Sequence, residues 1–284
     1  MSARDVVGDE AVRWDLVANV SLLFDELPLL ERPNAAKQAG FTAVEAWWSF
    51  PSPRGGQELT AFLDAVERAD LSLAGLNLFA GDMAAGERGV LSAPHRRDEF
   101  RANLDVVVEV AARTGARGFN ALYGQRLPGV EPAEQDRVAL ENLELAVQRL
   151  AEVGGTVLIE PLSRNLNGAY PIETAEQAID IVDRVREAAG QDNIALLFDT
   201  FHLANNGADL PAVIDRYADR IGHVQLADAP GRGAPGTGTV DFSTVMDSLA
   251  SNGYKGLIAA EYVPGEDTER GLDWVDGQAR IRLT

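Results

Sequence analysis

The chain has 284 residues, 46% of them hydrophobic and 24% charged, a length and mix that suit one globular domain with a full core or two small ones. Its 44 acidic against 25 basic side chains give a formal net charge of −19, which repels phosphate backbones and anionic lipid headgroups and so weighs against nucleic acid or membrane as partner. The absence of cysteine excludes a disulfide framework, a thiolate metal site and a cysteine nucleophile, and no apolar run approaches the roughly 18 residues that span a membrane.

Residues 1–12 carry four charged side chains and no apolar stretch of the signal-peptide kind, so they are expected to be a flexible N-terminal tail, with 13–284 as one catalytic domain and the cytoplasm as the default address. From there short apolar or β-branched runs alternate with segments of helical period. Strands are expected at Leu16–Asn19, Ala43–Trp47, Leu73–Leu78, Gly118–Leu122, Thr156–Glu160, Ala195–Asp199, His223–Ala227 and Leu257–Glu261. The intervening helices carry apolar stripes, such as Leu59, Phe62, Leu63 and Val66, then Phe100, Leu104, Val107 and Ala111, and later Phe242, Val245, Met246 and Leu249. Gly115, Gly154 and Gly253 follow helical runs as terminating residues, and Thr174 with Gln177 forms a capping box.

Eight strand-then-helix units predict an α/β fold of the (β/α)8 TIM-barrel kind. A doubly wound open sheet is the competing architecture, but it usually has fewer units, and no glycine-rich fingerprint follows the first strand, where Asn19 runs into Val20, Ser21 and Leu22. Helix-to-strand connections are tight, as at Gly115-Ala116 and Gly154-Gly155, whereas Ala80–Ala93, Pro161–Ile172 and Asp228–Asp241 are long and rich in Gly, Pro, Asn and Asp. In a barrel all three emerge on the C-terminal face, where such enzymes keep their chemistry.

The last polar residue of each strand in the second half of the chain is Glu160, Asp199, Gln225 or Glu261. Four adjacent strands would then aim three carboxylates and an amide at one rim, where they repel one another unless a cation sits between them. An all-oxygen set favours a hard divalent ion, Mg2+ or Mn2+. The bland alternative is that each acid caps the following helix or pairs with an arginine. Two glutamates among the ligands also suit proton transfer between neighbouring carbons, as an aldose–ketose type isomerisation through an enediolate requires.

His202, three residues past Asp199 at the start of the next loop, is expected to hydrogen-bond a substrate hydroxyl. His223 shares one side of the sheet with Gln225, either in the barrel interior beneath the site or as a satisfied core histidine, the latter favoured; His95 is expected to be solvated. Arg232, the one cation of the loop Asp228-Ala-Pro-Gly-Arg-Gly-Ala-Pro-Gly-Thr-Gly238, either clamps a substrate carboxylate or pairs with Asp228 or a nearby acid. That loop lacks the ending of a P-loop. Both lysines, Lys37 and Lys255, fall in the first helix or before the eighth strand, away from the expected site, which disfavours a Schiff base. No Gly-x-Ser-x-Gly nucleophile elbow occurs.

The runs Ala18-Asn-Val-Ser-Leu-Leu-Phe24, Gly81-Asp-Met-Ala-Ala-Gly-Glu-Arg-Gly89, Phe198-Asp-Thr-Phe-His202, Gly222-His-Val-Gln-Leu-Ala-Asp-Ala-Pro-Gly-Arg232 and Gly253-Tyr-Lys-Gly, with the tail from Glu261 to Trp274, resemble the hydroxypyruvate isomerase family of xylose isomerase-like TIM barrels from about Trp14 to Trp274. The resemblance implies catalytic glutamates at Glu160 and Glu261, and metal positions at Glu160, Asp199, Gln225 and Glu261. Related ketose epimerases usually have histidine where Gln225 stands, and hold substrate with a histidine matching His202 and an arginine near Arg232. The segment Trp47-Trp48-Ser-Phe-Pro-Ser-Pro-Arg54 departs from the family's Phe-rich run, and Pro161–Gly168 varies among relatives, so substrate identity is less fixed than reaction class; Trp47-Trp48 suits a pocket or an interface.

These readings lead to an isomerase interconverting hydroxypyruvate and 2-hydroxy-3-oxopropanoate, with an isomerase or epimerase of a longer 2-oxo acid (2-oxotetronate) or a free ketose, using the same acid pair, as the alternative. A metal-dependent nuclease of the same superfamily would need many histidines and a basic surface, and the chain has three histidines and a charge of −19. A catalytically idle barrel that binds a sugar or protein is the non-enzymatic alternative. Barrels of this kind often associate, which leaves a homo-oligomer open.

Overall fold

The computed structural model describes residues 12–265 and 267–283, so all of the expected N-terminal tail except Val12 lies outside the described residues. Eight strands form the centre: β1 (Trp14–Asn19), β2 (Ala43–Ala46), β3 (Ser72–Asn77), β4 (Gly118–Asn120), β5 (Thr156–Ile159), β6 (Ile194–Asp199), β7 (Ile221–Leu226) and β8 (Ile258–Ala260). Each pairs in parallel with its neighbours in chain order, and β1 pairs with both β2 and β8. That closure makes a TIM barrel and removes the free edges that a doubly wound sheet would keep.

The helices are α1 (Arg32–Gln38), α2 (Gly56–Arg68), α3 (Arg97–Thr114), α4 (Pro132–Ala151), α5 (Ala175–Ala189), α6 (Thr200–Asn205), α7 (Leu210–Tyr217) and α8 (Phe242–Ser251). Their apolar stripes turn inward: Phe62, Phe100, Leu104, Leu143, Val182, Ile214 and Leu249 are all buried in the layer between helices and barrel. Fully burying a side chain of that size is worth roughly 1.5–3 kcal/mol, so this layer holds the helices in place. The barrel interior is filled separately by Val17, Ala74 and Ala259 on one side and Leu158, Ala195 and Leu197 on the other.

The capping box at Thr174 forms in both directions, and Gly115 ends α3 in the left-handed conformation at φ 77°. Two features depart from the sequence expectation. The segment holding His202 is not loop but the short helix α6, because the Asp199 side chain accepts the His202 N–H and caps it. Among the described residues after β8 there is no α-helix but a 3-10 segment, Arg270–Gly277, and then β9 (Ile281–Arg282), which pairs with the start of β1 through Trp14 and Ile281. Among the described residues no helix is long and apolar enough to cross a membrane.

Candidate active site at the C-terminal rim

Period two sends alternate strand residues into the barrel, and at the C-terminal end of every strand the inward residue is polar. Asn19, Glu45, Asn77, Asn120, Glu160, Asp199, Gln225 and Glu261 form a ring, none of them more than 6% exposed. Strand register sets them level: Asn19 is opposite Glu45, Asn77 opposite Asn120, and Asp199 opposite Gln225. The sequence reading found the second half of this ring. It missed the first half, although the same rule of reading the last polar residue in each strand finds Asn19, Glu45, Asn77 and Asn120.

Glu45 organises one side. Its Oε1 accepts from Asn19 Nδ2 at 2.9 Å and from Gln225 Nε2 at 2.7 Å, and its Oε2 lies 2.6 Å from His223 Nε2. Burial pushes this carboxyl upward, but the His223 ring and the hydrogen bonds from His223, Gln225 and Asn19 outweigh it and hold the group below its ordinary range. An ionised carboxylate only accepts, so Gln225 must turn its NH2 toward Glu45 and its oxygen away. His223 is thus both interior and satisfied, while His95 is exposed.

The remaining acids each divide their two oxygens between scaffold and site. Asp199 Oδ1 caps α6, and Glu261 Oε1 accepts from Arg232 Nη2 at 2.7 Å and from Trp47 Nε1 at 3.1 Å; among the described residues Asp199 Oδ2 and Glu261 Oε2 have no partner. Gln225 Oε1 is likewise buried without a donor. Glu160 Oε2 accepts from Asn120 Nδ2 at 2.7 Å. The bland reading of helix caps and arginine pairs is therefore half realised, at Asp199 and Glu261, and with Asn120 Oδ1 it leaves four buried ring oxygens without a donor among the described residues. Such atoms cost about 1–3 kcal/mol each when nothing satisfies them. Burial, followed by repulsion from Asp199, raises Glu160 to about 8; burial raises Asp199 to about 6 and lifts Glu261 well above its ordinary value despite Arg232. A site of all-oxygen donors that repel one another in this way suits a hard divalent cation.

Glu160, Asp199 and His202 have potential ligand atoms within 4.8 Å of one another. His202 nevertheless presents a proton rather than a lone pair. The Ser163 backbone N–H donates to its Nδ1 at 2.9 Å, so the neutral ring carries its hydrogen on Nε2, which lies 3.7 Å from Glu160 Oε1. The ring is neutral because burial, reinforced by the charges of Arg232 and Arg88, lowers it well below its ordinary value.

Above the ring a cavity of about 250 Å³ is walled by Trp47, Glu160, His202, Arg232 and Glu261 from the expected site, and by Met83, Arg88 and Asn167 from the long loops after β3 and β5. The loop after β7 is built around buried Asp228, whose carboxylate accepts the N–H groups of Ala229, Gly236, Gly238 and Val240. Asp228 is thus occupied by its own loop, and Arg232 pairs with Glu261 instead, its guanidinium 5.6 Å from the Trp47 ring and 5.3 Å from the Phe201 ring. Trp47 faces the cavity, whereas Trp48 is buried edge-on against Phe50.

Residues 33–278 match the family model for xylose isomerase-like TIM barrels. The chain belongs to that family. It is 49% identical over 267 residues, 92% of this chain and 95% of the other, to a Streptomyces coelicolor protein named "Putative hydroxypyruvate isomerase". It is 34% identical to the hydroxypyruvate isomerase of Escherichia coli, covering 91% of this chain and 97% of that one. A 2-oxo-tetronate isomerase of Haemophilus influenzae is 30% identical over 90% of this chain and 96% of its own. Among solved structures, one titled AP endonuclease, family 2, from Brucella melitensis superposes with a TM-score of 0.82 at 31% identity, covering 94% of this chain and 99% of that chain.

Proposed function

We propose that this isomerase interconverts hydroxypyruvate and 2-hydroxy-3-oxopropanoate. The observation that carries the reading is the rim itself: four buried ring oxygens, Asn120 Oδ1, Asp199 Oδ2, Gln225 Oε1 and Glu261 Oε2, have no donor among the described residues, beneath a small cavity. Glu160, Asp199, Gln225 and Glu261 would hold a divalent cation, Mg2+ or Mn2+ by the hardness of their oxygens. When bound, the cation supplies positive charge against the enediolate that develops on the substrate.

In the reaction C3 of hydroxypyruvate loses a proton, C2 gains one, and the hydroxyl hydrogen moves from O3 to O2, with no net change in atoms or electrons. Glu160 and Glu261 take and return the carbon-bound proton. Burial raises Glu160 to about 8, where a carboxyl can take or return a proton near neutral pH, and pushes Glu261 upward in the same direction. His202 offers Nε2–H to a substrate oxygen, its ring fixed by Ser163. Trp47 and Arg232 hold Glu261 Oε1, leaving Oε2 toward the site.

A longer 2-oxo acid such as 2-oxotetronate is the second reading, favoured by the Haemophilus influenzae relative's name. A nucleic-acid substrate fits poorly: of the three histidines only His202 lines the cavity, and the net charge is −19. Rates on hydroxypyruvate, 2-oxotetronate and a ketohexose, measured side by side with Mn2+ present, test the substrate. The highest kcat/KM is expected on hydroxypyruvate, and a clear preference for the ketohexose would refute the oxo-acid reading.

A further inference from the structure

A protein this acidic must still hold an anionic substrate against four rim carboxylates, Glu45, Glu160, Asp199 and Glu261. Two guanidiniums border the cavity, those of Arg232 and Arg88. Arg232 is already paired with Glu261. Arg88, from the loop after β3, is not: among the described residues no carboxylate lies within ion-pair distance of it. Its Nε donates to Asn167 Oδ1 at 2.9 Å, its Nη1 to the carbonyls of Met83 at 3.1 Å and Glu87 at 2.8 Å, and its Nη2 has no acceptor among the described residues. Burial and the nearby charge of Arg232 both disfavour its protonated form, so the fold tolerates an uncompensated cation beside the reaction site. In a chain with 44 acids and 25 bases, this half-buried cation is claimed by no carboxylate among the described residues and so stays available to an anionic ligand in the cavity.

The mount is rigid. Gly124 N–H donates to the Arg88 carbonyl at 3.0 Å and Gly89 N–H to Ala80 at 2.9 Å. Gly89 has φ 114°, and a Cβ there would lie 2.1 Å from the Leu122 carbonyl oxygen, so only glycine lets this turn press against the neighbouring loop. Asn167, which aims the guanidinium, is itself tied by its Nδ2 to the Ser163 carbonyl, and Ser163 is the partner of His202. The cation is preorganised on the same scaffold as the histidine.

We propose that Arg88 binds the substrate carboxylate through Nη2 and thereby selects 2-oxo acids over uncharged ketoses. The assignment moves to Arg88 the role that sequence alone gave to Arg232, and it rests on the oxo-acid reading of the site. Arg88→Gln removes the charge at similar length; Arg88→Lys keeps the charge and loses the fork.

The test measures binding as well as turnover in the Mn2+-loaded protein. Hydroxymalonate, a dicarboxylate with no carbonyl to isomerise, is titrated by calorimetry. Dihydroxyacetone, which carries CH2OH where hydroxypyruvate carries its carboxylate, is measured as a competitor. Loss of a charge-assisted bond predicts roughly ten- to a hundredfold weaker hydroxymalonate binding in Arg88→Gln, partial recovery in Arg88→Lys, and a similar rise in KM for hydroxypyruvate, while dihydroxyacetone affinity and Mn2+ stoichiometry change little. Equal hydroxymalonate affinity in all three proteins overturns the assignment. So does a loss matched for dihydroxyacetone, which would mark Arg88 as a loop support only, and so does failure of the unmodified protein to bind hydroxymalonate. A protein that binds hydroxymalonate through Arg88 yet turns over neither oxo acid would refute the substrate reading and leave the anion site standing.

Discussion

Glu45 touches neither cavity nor cation in the proposed mechanism, yet Glu45→Gln should weaken metal binding. Its carboxylate receives three contacts, at 2.9 Å from Asn19, 2.7 Å from Gln225 and 2.6 Å from His223. The substitution keeps the shape but turns charge-assisted bonds, worth about 1.5–3 kcal/mol each, into neutral ones of about 0.5–1.5 kcal/mol. It also gives position 45 an NH2 that competes with Gln225 for acceptors. The Gln225 amide then loses its reason to keep oxygen toward the site. A loss near 1–2 kcal/mol at this bond, together with the missing negative charge below the cation, corresponds to roughly ten- to a hundredfold weaker Mn2+ binding, in line with other outer contacts to metal ligands. Calorimetric titration of Mn2+ into the metal-free variant reads this directly, and circular dichroism checks that the barrel is intact. A Mn2+ Kd within twofold of the unmodified protein would refute the argument that Glu45 orients Gln225.

Trp47→Phe removes the Nε1–H that bonds Glu261 Oε1 while keeping a ring beside Arg232; kcat should fall about tenfold and the pH profile should shift upward, and an unmoved profile would contradict the role given to Trp47. The metal-free protein should lose stability as pH rises. Glu160, Asp199 and Glu261 have folded pKa values raised, chiefly by burial, to about 8, to about 6 and upward respectively. Their contribution is complete below the unfolded carboxyl range near pH 4 and disappears as pH climbs through the folded values. Denaturant melts in chelator should therefore give lower stability at pH 8 than at pH 5, by on the order of a few kcal/mol. Mn2+, which binds the deprotonated acids, should flatten or reverse the trend, and a pH-independent metal-free stability would count against the mutual repulsion at the rim.

The barrel was legible in the sequence because eight apolar runs alternate with segments of helical period and each ends near a polar residue; every expected strand exists, with ends shifted by a residue or two. The second half of the rim was legible because Glu160, Asp199 and Glu261 follow uninterrupted apolar runs. Glu45 was harder to see, since it lies within the expected second strand and its partners Gln225 and His223 are 180 and 178 residues away. Arg88 was hidden for another reason: it sits in a glycine-rich loop whose path no periodicity sets, and its significance comes from having no carboxylate partner among the described residues, a property only three-dimensional structure reveals. The capping of α6 by Asp199 could have been read from Asp199-Thr-Phe-His202, whose spacing suits a helix start. The strand Ile281–Arg282 is too short to carry any pattern of its own.

The central claim is that the buried Glu160–Glu261 pair moves a proton between adjacent carbons of a small oxo acid. Proton NMR of hydroxypyruvate with the Mn2+-loaded protein in D2O tests it, run in parallel with Glu261→Gln. The unmodified protein should form 2-hydroxy-3-oxopropanoate with deuterium incorporated at carbon, and Glu261→Gln, checked by titration to hold Mn2+, should lose at least about a hundredfold in rate. Near-normal turnover by Glu261→Gln, or no conversion of hydroxypyruvate by the unmodified protein, would contradict it.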